Sequence, residues 1–186
     1  MKAKRMLTIA SITVFVGSLI AGAAISTQDR YSLKVPNGLA FSEFRGYEAW
    51  QVISISYNGG RMAAILGNPA MIETYKAGIP GNGKPFPNGA KIAKIHWDPI
   101  KNEFAPGQPL VPNTLHDIDF MEKDSERFAD SGGWGYAVFE YDVPSATFRL
   151  GNLTDHPPQG NDAKCGAACH TIAAKQDYVF TKYPNR

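Results

Sequence analysis

Two thiols and an imidazole stand close together near the C-terminus, in the run Cys165-Gly-Ala-Ala-Cys169-His170, and these are the only two cysteines among 186 residues. Thiols a few residues apart can add to the two vinyl groups of a haem while an imidazole directly after the second coordinates the iron. The usual spacing for that chemistry is Cys-x-x-Cys-His, and here three residues intervene. On a regular helix His170 would sit about 140° around from Cys165, against about 40° for the shorter spacing. The extra residue must therefore be taken up by a bulge or an unwound first turn, to which Gly166 and two alanines offer little steric resistance. Two other readings use the same residues. One is a Cys165–Cys169 disulfide, which closes so short a loop that little stability is gained. The other is a zinc site, which lacks a fourth ligand unless His156 or an acid joins. If haem is bound through His170, the sixth position decides the function: Met or His makes an electron carrier, an open site a gas binder or redox enzyme. Met62, Met71, Met121, His96, His116 and His156 are nominal candidates that periodicity cannot separate.

The N-terminus supplies a context for this chemistry. Lys2, Lys4 and Arg5 precede an apolar run from Met6 to Ile20 and the small residues Ala21, Gly22, Ala23 and Ala24. That order is expected of a secretory signal peptide over residues 1–23, leaving a mature domain over 24–186, with an uncleaved anchor as the alternative. Export fits c-type haem, which is attached outside the bacterial cytoplasm. Removing residues 1–23 takes away those three positive charges and no acid, so the formal balance changes from +2 to −1. A nearly neutral mature chain argues for neither nucleic acid nor an anionic membrane surface as partner. Two cysteines exclude a disulfide-dense scaffold, and the chain is long enough to bury its own core.

The elements that must position these groups read as follows. Phe41 to Trp50 is expected as a short helix capped by Ser42, with Phe44, Tyr47 and Trp50 on one side. Gln51–Tyr57 and Arg61–Leu66 form a hairpin about Asn58-Gly59-Gly60, with Ile53, Ile55 and Tyr57 sharing a face of the first strand. Asn68-Pro69 caps and starts a helix that Gly78 ends. A loop over Gly81–Gly89 leads to a strand over Ala90–Trp97, and the four prolines within 98–115 indicate a long surface loop. His116–Met121 reads as a strand, Lys123–Ala129 as a short helix, Trp134–Tyr141 as a strand with Trp134, Tyr136 and Val138 on one face, and 150–164 as irregular. A helix is expected from about Cys165 to Lys175. Strand pairs with short helices between them predict an α+β domain built on an antiparallel sheet.

Four separate runs in this order resemble the cytochrome P-460 family of exported c-type cytochromes: Phe86-Pro-Asn-Gly89-Ala-Lys-Ile-Ala-Lys94, Met121-Glu-Lys123-Asp-Ser-Glu-Arg127-Phe-Ala129, Gly132-Gly-Trp134-Gly, and Cys165…Cys169-His170 with Asp177-Tyr-Val-Phe180-Thr. The agreement runs from about Tyr47 to Tyr183. The resemblance implies a mainly antiparallel β domain with a few helices, a homodimer, and a five-coordinate haem c on His170, tethered by Cys165 and Cys169. It also implies a lysine cross-linked to the macrocycle edge, which by position is Lys94, with Lys84 and Lys91 as neighbouring rivals. Arg61 matches a distal-side arginine able to stabilise negative charge on a bound ligand, or to pair with an acid instead. Phe180 is expected beside the haem helix.

The activity so implied is oxidation of a hydroxylamine-like small nitrogen substrate in the periplasm, with electrons passed to a redox partner cytochrome. The alternatives are a non-enzymatic nitric oxide binder like the β-type cytochromes c′, and a haem-free exported binding domain. The three-residue gap between the cysteines departs from the family pattern and bears on whether one or two thioethers form.

Overall fold

The computed structural model describes residues 28–36, 38–151 and 166–185. The expected signal peptide, Cys165, the Cys165–Cys169 pairing and His156 lie outside the described residues. Six strands form one antiparallel sheet in chain order: β1 (Gln51–Asn58), β2 (Arg61–Gly67), β3 (Lys91–Lys101), β4 (Leu110–Lys123), β5 (Trp134–Asp142) and β6 (Thr147–Leu150). The helices are α1 (Pro69–Lys76), α2 (Ala167–His170) and several 3₁₀ turns. This is the α+β architecture the strand pairs predicted, and each local signal accounts for its element. Gly59 and Gly60, both at positive φ, close the β1–β2 hairpin. The Asn68 side chain accepts the Met71 N–H at the start of α1, where Pro69 needs no donor.

The sheet buries both faces. On one, Phe120, Phe139, Ile118, Ala93 and Ala137 pack against Phe41, Phe44 and Tyr47 of the N-terminal segment, with Phe44 stacked on Phe120 at 4.0 Å between ring centroids. On the other, Ile65, Ile92, Met121, Trp134 and Tyr136 face α1, Phe86 and Val179. Alternation along the strands sorts the two sets, because a residue and its neighbour point to opposite sides.

Five expectations are corrected. Residues 41–50 form two 3₁₀ turns, Phe41–Phe44 and Tyr47–Ala49, not one helix, because Gly46 between them sits at φ +77°. Phe44 and Tyr47 are nevertheless buried. The segment 98–115 is largely paired strand, with only 102–109 as a loop; register shifts beside Trp97 and Pro99 let Pro99 face Pro112 across the ladder. A bulge between Val52 and Ser54 breaks the expected face of β1, so Ile53 is buried while Ile55 and Tyr57 are exposed. Lys123–Ala129 is not helical: the Asp124 carboxylate accepts the N–H groups of Glu126 and Arg127 and holds turns that lead into the 3₁₀ helix Ala129–Ser131. Finally, Leu150, the first residue of the expected irregular stretch, ends a strand instead: Thr147–Leu150 pairs with β5 as β6, Gly151 has no regular structure, and 152–164 lie outside the described residues.

Candidate functional site

The floor of the site is the face of the sheet opposite the phenylalanine core. Strand register sets it out in rows. Ile92, Met121 and Tyr136 form one row across β3, β4 and β5. The next row is Ile65, Lys94, Asp119 and Val138, and beyond it come Ala63, His96 and Asp117. Lys94 thus shares its face with Ile92 and His96, as the period of two along the strand requires. Lys91, one of its rivals, points the other way and pairs with Glu122 at 3.2 Å, and Lys84 lies exposed on the loop before β3.

The C-terminal segment closes over this floor and brings His170 to it. Together they bound a cleft of about 780 Å³, part of it open to solvent, lined by Ile65, Ile92, Lys94, Asp119, Tyr136 and His170 among others. The His170 Nδ1 lies 2.6 Å from the carbonyl oxygen of Tyr178. A carbonyl only accepts, so Nδ1 carries the proton and Nε2, across the ring, is left with its lone pair. Tyr136 and Phe180 flank the imidazole at 4.9 and 4.6 Å between centroids. Gly166 is required where α2 meets the sheet, because a Cβ there would fall 2.4 Å from the Tyr136 ring.

What holds Tyr178 in place is a buried ion pair. Lys123 Nζ is 2.7 Å from Asp177 Oδ1 and 3.0 Å from the Gly132 carbonyl, and it lies over the Trp134 ring. The second Asp177 oxygen accepts the Phe86 N–H at 2.8 Å. Gly132, at φ +70°, lies so close under Tyr178 that a Cβ would fall 2.3 Å from its ring. Phe86, Lys123, Gly132, Trp134, Asp177 and Tyr178 come from separate runs of the sequence and meet as one support for the His170 imidazole.

The charges of the floor are unequal. Burial and the neighbouring Asp117 raise the Asp119 carboxyl to about 6, although Lys94 and His96 act in the opposite sense. Burial also opposes the charge of Asp117, but hydrogen bonds from His96 and His116 outweigh it and hold Asp117 below the usual carboxylate range. Asp117 takes Nδ1 of both histidines, that of His116 at 2.7 Å. Burial lowers His170, and Lys94 adds to the effect against the Tyr178 hydrogen bond, so its imidazole is neutral at pH 7. Burial pushes the Tyr136 phenol upward, and its hydroxyl has no hydrogen-bond partner among the described residues.

Of the residues singled out from sequence, Lys94 and His170 meet in the cleft, and Cys169 is exposed directly before His170. Arg61 does not line it. Arg61 edges a smaller polar pocket with Lys94, His96 and Asp117, and pairs at 3.5 Å with Asp98 across a half-exposed surface. As for the nominal sixth ligands, Met71 belongs to the core, while His96 and His116 are engaged by Asp117. Met121 lines the cleft. Asp119 was missed, because in sequence it is one of several acids in an alternating strand; only the register opposite Lys94 distinguishes it. Tyr136, expected on one strand face with Trp134 and Val138, is both buried and part of the cleft wall.

The donor set fits a haem. A neutral imidazole fixed through Nδ1 offers Nε2 to iron, an apolar cleft suits a macrocycle, and an exposed thiol adjoins the imidazole. A sequence model of the cytochrome P460 family matches residues 44–181, which include every described residue of the cleft. No curated protein matches the chain.

Proposed function

Because the chain belongs to the cytochrome P460 family, a family of c-type cytochromes, we propose that it is a periplasmic homodimer that oxidises a hydroxylamine-like nitrogen substrate and delivers the electrons to a redox partner cytochrome. The observation that carries this reading is the Nδ1–H of His170 donated to Tyr178, which leaves Nε2 with the lone pair that would hold a haem iron in a cleft shared with Lys94 and Asp119. Cys165 and Cys169 would be the residues that tether a haem c, and Lys94 the residue that would hold its macrocycle edge. A haem held there would supply one-electron redox chemistry.

The chain's own residues supply the rest. Ile65, Ile92 and Val138 give the cleft an apolar wall against which a small uncharged substrate would sit. Asp119, with its carboxyl near 6, accepts the protons that the substrate must lose at neutral pH. Arg61 stands outside the cleft, so its part is to draw anionic ligands toward the polar pocket beside Lys94, with no contact to the reacting atoms.

The apolar lining also favours a second reading, a nitric oxide-binding protein without turnover, since an uncharged diatomic needs no proton acceptor. Protein matured in a host that attaches c-type haem separates the two. The enzyme reading expects hydroxylamine-dependent reduction of an electron acceptor and a reduced spectrum strongly red-shifted from an ordinary c-type band, both lost in Lys94→Ala. An ordinary c-type spectrum, unchanged by Lys94→Ala and without hydroxylamine turnover, leaves the gas-binding reading.

A further inference from the structure

The 3₁₀ helix Thr171–Gln176 continues directly from α2, so the residues after His170 lie at the surface beside the site. Ile172 is 86% exposed there, the most exposed aliphatic side chain of the C-terminal segment, and Cys169 is exposed one turn before it. Lys175 follows three residues later on the same segment, beyond a kink at Ala173, and is exposed as well. Lys175 and Lys182 both line a broad recess between the C-terminal segment and the loop Gly78–Gly83, and exposed Lys84 follows that loop. Thr181 lies in the wall of this recess and also in the wall of the cleft, so the two are neighbours.

Among the described residues, the lysines of this surface meet no compensating acid. Lys84, Lys175 and Lys182 have no ion pair with a described residue. The acids that could offset them are engaged: Asp177 is buried against Lys123, and Glu73 holds Lys76 at 2.8 Å. An exposed apolar residue on the same short segment as Lys175, which with Lys182 lines a recess adjoining the cleft, has the composition of a transient docking face. Lysines on long stems attract without fixing orientation, which suits fast encounter and release.

We propose that an acidic electron-acceptor protein, its carboxylates surrounding its own redox centre, docks on the surface formed by Ile172, Lys84, Lys175 and Lys182. This rests on the redox reading above and specifies the partner's chemistry. Contact at Cys169 and Ile172 brings the partner to the edge of the cleft nearest the His170 segment, and a small polar interface is appropriate for a partner that must leave after each electron.

Two measurements test it, with haem content checked first by absorbance so that loss of the redox reading is seen separately. In the first, the full chain is treated with carbodiimide and an acidic blue-copper protein, and the joined peptides are mapped by mass spectrometry. Links at Lys175, Lys182 or Lys84 are expected; links confined to Lys34 or Lys101, or none, overturn the proposal. In the second, the reduced protein is oxidised by that same copper protein at rising ionic strength. The rate should fall with salt, and Lys175→Glu with Lys182→Glu should slow it by roughly 10-fold or more at low salt. Oxidation by an uncharged quinone should be unchanged, which shows an intact redox centre. Equal rates for wild type and variant with the acidic protein overturn the proposal.

Discussion

The carbonyl oxygen of Tyr178 receives the Nδ1–H of His170 at 2.6 Å, and the side chain of the residue before Tyr178 is locked by Lys123. The tautomer of the imidazole is thus set by backbone that a buried ion pair positions. Asp177 itself sits at φ +48° and Tyr178 at φ +63°. Two successive non-glycine residues in the left-handed region cost local stability, which the surrounding contacts must offset. The ion pair and the close packing of Gly132 against Tyr178 are those contacts.

Removing the ammonium tests this support. Lys123→Ala leaves Asp177 charged and buried, and is expected to destabilise the fold by about 3–5 kcal/mol, read by denaturant unfolding. The variant should also bind haem less completely, since the Tyr178 carbonyl loses its anchor. Unfolding indistinguishable from wild type would remove the ion pair from the account.

Space at Gly132 is a second test. Gly132→Ala adds a Cβ 2.3 Å from the Tyr178 ring at a backbone angle of φ +70°. Both the clash and the strain act together, and a loss of about 1–3 kcal/mol in unfolding free energy is expected.

Asp119 gives a pH profile. Its carboxyl titrates at about 6, so the proton-accepting form gains ground as pH rises through that value. Hydroxylamine turnover should rise between about pH 5 and 7, and Asp119→Asn should flatten the rise and lower the rate by roughly 10²–10⁴-fold. The linkage to stability has the opposite sense. The folded value lies above the unfolded one, so the folded state keeps this proton longer. The stability it contributes is complete below the unfolded value near 4 and is lost as pH rises through about 6. Asp119→Asn should remove that part of the pH dependence in thermal unfolding, whatever becomes of turnover.

Lys94 and its rival Lys91 can be told apart by spectrum. Lys91 is tied to Glu122 and to the Glu43 carbonyl on the other side of the sheet. Lys91→Ala should therefore leave the reduced absorption band in place while reducing stability, and Lys94→Ala should shift it toward an ordinary c-type position.

Much of the fold was legible because its signals are local. The Gly59-Gly60 turn, the Asn68 cap and the alternation in β3 and β5 each carry their own physical cause, and the structure keeps them. The misreadings came where a distant contact or a competing local bond outweighs the pattern. Prolines 99 and 112 read as loop because a lone proline cannot donate to a ladder, yet register shifts accommodate both facing each other within one. Lys123–Ala129 has helical spacing, yet the Asp124 carboxylate captures the N–H groups that a helix would use. The site divides in the same way. The Cys169-His170 pair announces itself by residue type, whereas Asp119 and the Tyr178 carbonyl become functional only through register and through the turn at Asp177. The family-like runs looked independent in the sequence, and the structure gives most of them one physical role, the support of a single imidazole.

The central claim, that this chain carries one covalent haem with His170 as its iron ligand, is tested most directly by intact mass and absorbance of the protein matured with c-type haem attachment. Wild type is expected at the mature polypeptide mass plus one haem, with His170→Ala keeping the thioether-bound mass but losing the axial-imidazole signature of the wild-type spectrum. A colourless protein at polypeptide mass, or a His170→Ala spectrum identical to wild type, would contradict it.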